Sequence, residues 1–249
     1  MEQGNGQTRE ELERRIRERT AELEAKNREL EAFAYSVSHD LRAPLRYVTG
    51  FVEMLRDHLG ESLDAEGKRI LDTVVSSAAE MGELIERLLA YSRSGRTALR
   101  QAPVELNSLI DQARELLEPK GTKIEWQIDA LPAVCGDEQL LQQVMTNLIS
   151  NAIKFSRTRP CPVIRIIRNG CAEGVVEFSV ADNGVGFDMA HAGELFGVFK
   201  RMHLASEFEG HGVGLANARR IVERHGGSIG ASAAPDEGAT FTVRLPAVC

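Results

Sequence analysis

The stretch from roughly residue 8 to residue 58 constrains this chain most, because it reads as one helix too long to pack inside a small domain. Ile16, Leu23, Leu30 and Val37 recur at every seventh position, and Thr20, Asn27, Ala34 and Leu41 fill the companion positions. The count continues through Pro44, Val48, Phe51 and Leu55, with Arg, Glu and Lys around the rest of the surface. Such a heptad marks an apolar seam on one side of a helix. At ~1.5 Å per residue the helix would extend ~75 Å. Its seam needs a partner, and a second copy of the same helix is the simplest one; a single amphipathic helix lying on another body is the alternative. Asn27 at a seam position is the kind of polar residue that fixes register and a two-stranded state.

The sequence His58-Leu59-Gly60-Glu61-Ser62 breaks the pattern. A second amphipathic helix follows, with Ile70, Val74, Met81, Leu84, Leu88 and Tyr91 on one face and Met81 read as core filling. Two long helices joined by a short connection form a hairpin, and two hairpins form a four-helix bundle. Ser92-Arg93-Ser94-Gly95-Arg96 and then Gln101-Ala102-Pro103 lose periodicity and read as a linker. Beyond it the texture changes. Helices are expected over Leu106 to Leu117, Glu138 to Phe155 and Val213 to His225. Strands are expected at Ile124–Ile128, Val163–Arg168, Val175–Ala181, Ser228–Ala231 and Thr240–Leu245, with Asn169-Gly170 between the second and third. That alternation predicts an α/β sandwich with helices on one face of a mixed sheet, so the fold class of the whole chain is α+β.

Bulk properties narrow the partners. A net charge of −7 with no dense basic tract disfavours nucleic acid, since phosphate binding needs clustered positive charge. No apolar run approaches the ~20 residues of a membrane span, and the N-terminus lacks the apolar core of a signal peptide. Cys135, Cys161, Cys171 and Cys249 form no C-x-x-C pair, and nothing in their placement suggests a disulfide framework or a metal site. The expectation is a cytoplasmic protein with no membrane span of its own.

Four constellations carry chemistry. In Ser38-His39-Asp40-Leu41-Arg42-Ala43-Pro44-Leu45 the heptad puts His39 opposite the seam, so its imidazole faces water and is a usable nucleophile near neutral pH. Asp40 is placed to hold the other ring N–H. Pro44 removes a helical hydrogen bond beside it, which predicts a kink. On the helix Asn147-Leu148-Ile149-Ser150-Asn151-Ala152-Ile153-Lys154-Phe155, the residues Asn147, Asn151 and Lys154 share one polar stripe. Leu140, Leu141, Val144, Leu148 and Ile149 occupy the core side. Two amides and an ammonium so arranged suit a hydrated Mg²⁺ and a triphosphate, because hard cations take oxygen ligands. In Asp182-Asn183-Gly184-Val185-Gly186-Phe187, Gly184 and Gly186 admit a flat ligand close to the backbone, and Asp182 can accept from an exocyclic amine. Gly210-His211-Gly212-Val213-Gly214-Leu215 opens a helix whose N-terminal amides form an anion site. The spacing is not that of a dinucleotide fold, and no strand leads into it. Each of these patterns also occurs as an ordinary polar helix face or turn; their order and spacing are what point to one function.

With these residues in view, the chain resembles the two-component sensor histidine kinases. FAYSVSHDLRAPL is similar to their phospho-acceptor box and NLISNAIKF to their asparagine box. DNGVGF, LFGVFKR, GHGVGL and GATFTVRLP resemble the remaining boxes of the same ATP-binding domain, in the family's order. From about residue 30 onward the resemblance covers nearly all of the chain, and it is nearest to phytochrome-type members, which have a short lid between Phe199 and Gly210. It implies a signalling helix over 1–30, a dimerisation and phospho-acceptor hairpin over 31–97, and an ATP-binding domain over 103–249. It further implies that Asn151 ligates Mg²⁺ with Asn147 nearby, and that Lys154 contacts the phosphates. Asp182 would read the adenine amine while Gly184 and Gly186 shape the base pocket. Gly210, Gly212 and Gly214 would hinge the lid, and Thr240 would lie on the adenine side. His39 would accept the γ-phosphoryl group in a homodimer and pass it to an aspartate on a response regulator receiver domain, under control of an upstream sensor domain or sensory partner. Two positions depart from the family's pattern. Ala43 stands where Thr or Asn often supports dephosphorylation of the regulator, and His211 stands where Thr is common. Other ATPases of the same fold lack a His-Asp box on a dimer stalk, and a scaffold with a decayed site would not keep Asn151, Asp182 and the glycines.

Overall fold

The computed structural model describes residues 3–59, 62–94, 99–119, 121, 123–172, 174–204 and 207–248. The chain forms two compact units, Met1–Arg93 and Ser94–Cys249. Among the described residues no helix is long and apolar enough to cross a membrane.

The first unit consists of α1 (Gln3–Leu59) and α2 (Ala65–Ser94). Helix α1 runs for 57 residues and continues through Pro44. Asp64 accepts a hydrogen bond from Gly67 N at 2.8 Å and so caps the start of α2. The helices meet where Leu45 lies against Gly82 and where Arg42 pairs with Glu86 at 2.7 Å. The inner face of the hairpin differs from the seam expected from sequence. Ser38, Leu45, Val52 and Leu59 turn inward on α1, and Leu71, Ala78, Ile85 and Leu89 are buried on α2. Leu41, Val48, Phe51 and Leu55 are exposed instead, as are Ile70, Val74 and Met81, so Met81 does not fill this core. The reason is that both helices carry two apolar stripes, of which a hairpin can consume only one. The seam side chains Ile16, Thr20, Leu23, Asn27, Leu30 and Ala34, together with Tyr91 and Gly95-Arg96, lie outside the described residues.

The second unit runs β1 (Ala102–Val104), α3 (Leu106–Leu117), β2 (Glu125–Ile128), β3 (Val134–Gly136), α4 (Glu138–Ser156), β4 (Val163–Ala172), β5 (Val175–Asp182), a 3₁₀ helix (Met189–Glu194), α5 (Gly214–Arg224), β6 (Ser228–Ala234) and β7 (Gly238–Pro246). Five strands form one sheet in the order β2-β4-β5-β7-β6. The β2–β4 pairing is parallel and the others antiparallel, which gives the expected mixed sheet. Strands β1 and β3 form a separate antiparallel pair inside and beyond the stretch read as linker. The Asn169-Gly170 pair is an irregularity within β4 and not the hairpin turn, because the register shifts between Arg168 and Gly170 while pairing continues to Ala172–Val175. Alternation on β5 and β7 puts Val176, Phe178, Val180, Phe241, Val243 and Leu245 on one face. There they pack with the buried side of α4, which is Leu141, Val144, Met145, Leu148, Ile149 and Ala152, and with Ala218, Ile221 and Val222 of α5. Buried His225 joins these layers: its Nε2 accepts from Asp137 N at 2.9 Å while Nδ1 donates to Ile221 O at 2.7 Å. Contrary to the sequence expectation for the cysteines, Cys135 on β3 is disulfide-bonded, whereas Cys161 and Cys171 are free and exposed.

Candidate active site

On α1 the heptad places His39 outward while its neighbour Ser38 is fully buried. The His39 side chain is 67% exposed, and its Nδ1 lies 3.3 Å from Asp40 Oδ1. A carboxylate oxygen accepts, so the contact suits the tautomer that carries its proton on Nδ1 and keeps Nε2 for attack. Ala43, one turn further along, is also exposed.

In the second unit, the polar stripe of α4 is positioned by the helix's start. Asp137 caps it by accepting from Leu140 N at 3.2 Å, and the apolar side locks into the sheet, which leaves Asn147, Asn151 and Lys154 half-buried on the opposite face. The glycine-rich loop passes over that stripe. A Cβ on Gly214 would sit 3.0 Å from Asn147 Oδ1, and one on Gly210 would sit 3.3 Å from Lys154 Nζ. Gly212 has φ +69, and a Cβ there would meet Lys200 O at 2.6 Å; its own carbonyl accepts from Phe199 N at 2.9 Å. Only glycine suits that position. Val213 gives α5 no side-chain cap, and helix N-terminal amides not taken by a cap suit an anion.

The remaining wall comes from the end of β5. Burial pushes the Asp182 carboxyl up to about 6, and backbone N–H groups of Gly184 and Ala239 partly oppose the shift. The Gly184 bond measures 2.8 Å. Gly184 has no room for a side chain, because a Cβ would lie 2.5 Å from Phe155 O. Gly186, at φ +60, lies against the carbonyl of Ala234. Thus Asp182, Gly184 and Gly186 are gathered beside the C-terminal end of α4.

Thr240 is not part of this group. Asp182 pairs across the sheet with Ala239, whereas Thr240 pairs with Ala181. Side chains alternate along a strand, so Thr240 points to the sheet face opposite Asp182 and Ala239 takes the inner position. Sequence reasoning also passed over the residues that hold the loops. Arg159 reaches the carbonyls of Asn183 and Gly184 at 2.9 Å each. Arg157 donates to Glu207 O at 3.0 Å. Phe155, His203 and Phe208 stack with centroids 5.1–5.3 Å apart and join the segment before Gly210 to the end of α4. Backbone carbonyl partners leave no mark in a sequence; the Phe155–Phe208 contact would need the loop's path to be known.

Comparison with known proteins agrees with this geometry. Residues 29–97 match the His Kinase A (phospho-acceptor) domain, and residues 136–248 match the histidine kinase-, DNA gyrase B- and HSP90-like ATPase domain. The two matches together cover well over half of the chain. The phytochrome-like protein Cph1 of Synechocystis is 35% identical over 90% of this chain and 30% of its own length. The methanogenesis regulatory histidine kinase FilI of Methanothrix harundinacea is 37% identical over 93% of this chain and 26% of its own. The crystal structure of full-length ShkA in complex with AMPPNP superposes with a TM-score of 0.67 at 29% identity, covering 88% of this chain and 46% of that one. The chain therefore spans about 30% of the length of the curated relatives it matches. It belongs to the two-component sensor histidine kinases, with a phospho-acceptor hairpin and an ATP-binding domain of the family's fold.

Proposed function

We propose that this chain binds ATP with Mg²⁺ in the pocket between α4, the Asp182 loop and the glycine-rich loop, and phosphorylates its own His39. The observation that carries the reading is the outward His39 with Asp40 on its Nδ1, since a buried or doubly bonded imidazole could not attack a phosphoryl group. Asp182 accepts the adenine amine, and the close backbone at Gly184 and Gly186 admits the flat base. Lys154 and the amides at the start of α5 neutralise the phosphates, and Asn151, with Asn147 beside it, supplies oxygen to the cation. A hard cation so placed would be held mainly by phosphate oxygens and an amide oxygen. Bound Mg²⁺ would draw charge from the β- and γ-phosphate oxygens. His39 Nε2 forms the P–N bond as the bond from the γ-phosphorus to the bridging oxygen breaks and ADP leaves. Asp40, through Nδ1–H, stabilises the positive charge that develops on the ring.

The phosphoryl group then passes to an aspartate of a receiver domain. The exposed apolar stripes of α1 and α2 support a homodimer in which two hairpins make a four-helix bundle, the state that the phospho-acceptor family implies. A sensor domain or sensory partner acts through the N-terminal part of α1, and the protein works in the cytoplasm. Incubation with γ-labelled ATP and Mg²⁺ tests the proposal. The chain is expected to acquire acid-labile, base-stable label that His39→Gln abolishes while nucleotide binding persists. Label above a few per cent of wild type in that variant would move the acceptor elsewhere.

A further inference from the structure

Arg159 lies three residues beyond α4, and its guanidinium converges on two segments remote in sequence. Nε donates to Asn183 O at 2.9 Å. Nη2 is shared between Gly184 O at 2.9 Å, Asp236 O at 2.7 Å and Asp236 Oδ1 at 3.3 Å. The first two carbonyls belong to the loop directly after Asp182; the third belongs to the turn between β6 and β7. That turn also touches the loop through Asp236 N, which donates to Val185 O at 2.7 Å. The arginine is rooted on α4, because its own N–H donates to Ser156 O at 2.9 Å. The loop touches the same helix end where Val185 N donates to Phe155 O at 3.2 Å. The Asn183 side chain is tied to the neighbouring segment, with Oδ1 accepting from Val163 N and Nδ2 donating to Cys161 O, both at 2.9 Å.

We propose that Arg159 is a positioning residue for nucleotide binding. Its fork fixes the loop carrying Gly184 and Gly186 relative to α4, and so sets the spacing between Asp182, which reads the base, and the stripe of Asn147, Asn151 and Lys154, which reads the phosphates. The inference rests on reading this pocket as an ATP site. A planar guanidinium spreads its donors over separate nitrogens in fixed directions, so Nε reaches Asn183 O while Nη2 reaches Gly184 O and Asp236 O, whereas lysine's three donors sit on one rotating nitrogen. The Asp236 carboxylate is 86% exposed, so the carbonyls and not the ion pair carry the effect.

The test uses the full chain, AMPPNP and its guanine counterpart in calorimetry, and autophosphorylation rates over a range of ATP. Arg159→Lys and Arg159→Met are expected to weaken AMPPNP binding about tenfold and to raise the half-saturating ATP concentration alike, because a misplaced base edge forfeits binding that depends on orientation. The rate at saturating ATP stays near that of wild type, and the preference for adenine over guanine narrows. Asp236→Asn, which keeps the carbonyl and tolerates the left-handed φ of +65, stays within about twofold. A folded Arg159→Lys with wild-type affinity and base preference overturns the inference. So does a full loss of affinity in Asp236→Asn, a fall in saturating rate that parallels the loss of affinity, or a failure of both Arg159 variants to fold, which would assign the residue a structural role. Asp182→Asn separates this from the pocket reading: unchanged AMPPNP affinity in that variant sinks the ATP site itself, whereas loss there with wild-type Arg159 variants sinks only the role of Arg159.

Discussion

The two units build their functional groups in opposite ways. The hairpin presents His39 from a continuous helix whose backbone is satisfied internally, so the reactive group depends on one residue, its neighbour and the side of the helix it occupies. The α/β unit assembles its pocket from α4, the end of β5, the glycine-rich loop and the β6–β7 turn, each placed by contacts that tolerate little change. A nucleophile must be reached, whereas a ligand pocket must be held in shape before the ligand arrives. Substitutions should therefore be far more disruptive in the second unit than in the first.

Gly186→Ala is the strongest attack on that contrast. Its Cβ would collide with the carbonyl of Ala234, at a φ of +60 where side chains are strained. Backbone cannot yield as a flexible side chain would, so the second unit is expected to lose about 3 kcal/mol or more and its nucleotide binding. Urea unfolding followed by the single tryptophan, Trp126, reads this. A loss below about 1 kcal/mol would show the pocket to be more compliant than its geometry implies.

Asp182 gives the next largest effect and has a defined pH signature. Its folded-state value near 6 exceeds the ordinary 3.8, so the fold disfavours the charged form. This group opposes folding progressively as pH rises from about 4 to about 6, and by a constant amount of about 3 kcal/mol above that. Asp182→Asn keeps an acceptor for Gly184 N and removes the buried charge, so the nucleotide-free protein should gain up to this amount at pH 7.5 while losing most of its affinity for ATP. In wild type the ionised form is the better acceptor for the adenine amine. Affinity should then fall as pH drops below about 6, approaching tenfold per unit. A flat profile between pH 7.5 and 5, measured by calorimetry, would remove Asp182 from the base site.

What could be read in the sequence follows the same division. The stripe of Asn147, Asn151 and Lys154 was legible because a helix repeats by geometry alone, and Asp182 because it ends an apolar strand. Thr240 was misplaced because its facing depends on which residue of β7 pairs with Asp182, and a strand's register is settled by its neighbours. Strands β1 and β3 escaped because each has three residues, one containing Pro103 and the other buried throughout, so neither shows alternation. In the hairpin, periodicity announced an apolar seam on α1 but could not say whether that stripe or its neighbour meets α2. Only the packing at Leu45–Gly82 and Arg42–Glu86 decides it.

That decision makes the outer stripe testable. Phe51 is 68% exposed in the single chain, and an aromatic side chain left so open on an apolar stripe is suited to an interface between copies. Phe51→Glu should weaken the dimer by about tenfold or more while leaving the nucleotide affinity of the second unit unchanged. Sedimentation at several concentrations, set beside calorimetry with AMPPNP, measures both. An unaltered dimer would exclude this face from the interface.

The smallest expected change lies at Ala43, one helical turn from His39. Removing a phosphoryl group from a receiver aspartate requires a side chain that orients a water molecule, and a methyl group can neither donate to water nor accept from it. Ala43 is exposed, as His39 is, and lies one helical turn away on the same side of α1. The wild-type chain is therefore expected to act as a kinase with little phosphatase activity, and Ala43→Thr to gain a modest rate, about two- to tenfold over the regulator's own decay. The substitution itself should be nearly neutral for the fold, since an exposed helical alanine replaced by threonine loses only about 0.5 kcal/mol. Purified phospho-regulator mixed with the protein and ADP gives the measurement, with a His39→Ala background to exclude back-transfer. Strong acceleration by the wild-type sequence in that background would mean that another group near His39 holds the water, and would break the rule that the hairpin's chemistry rests on the few side chains it displays.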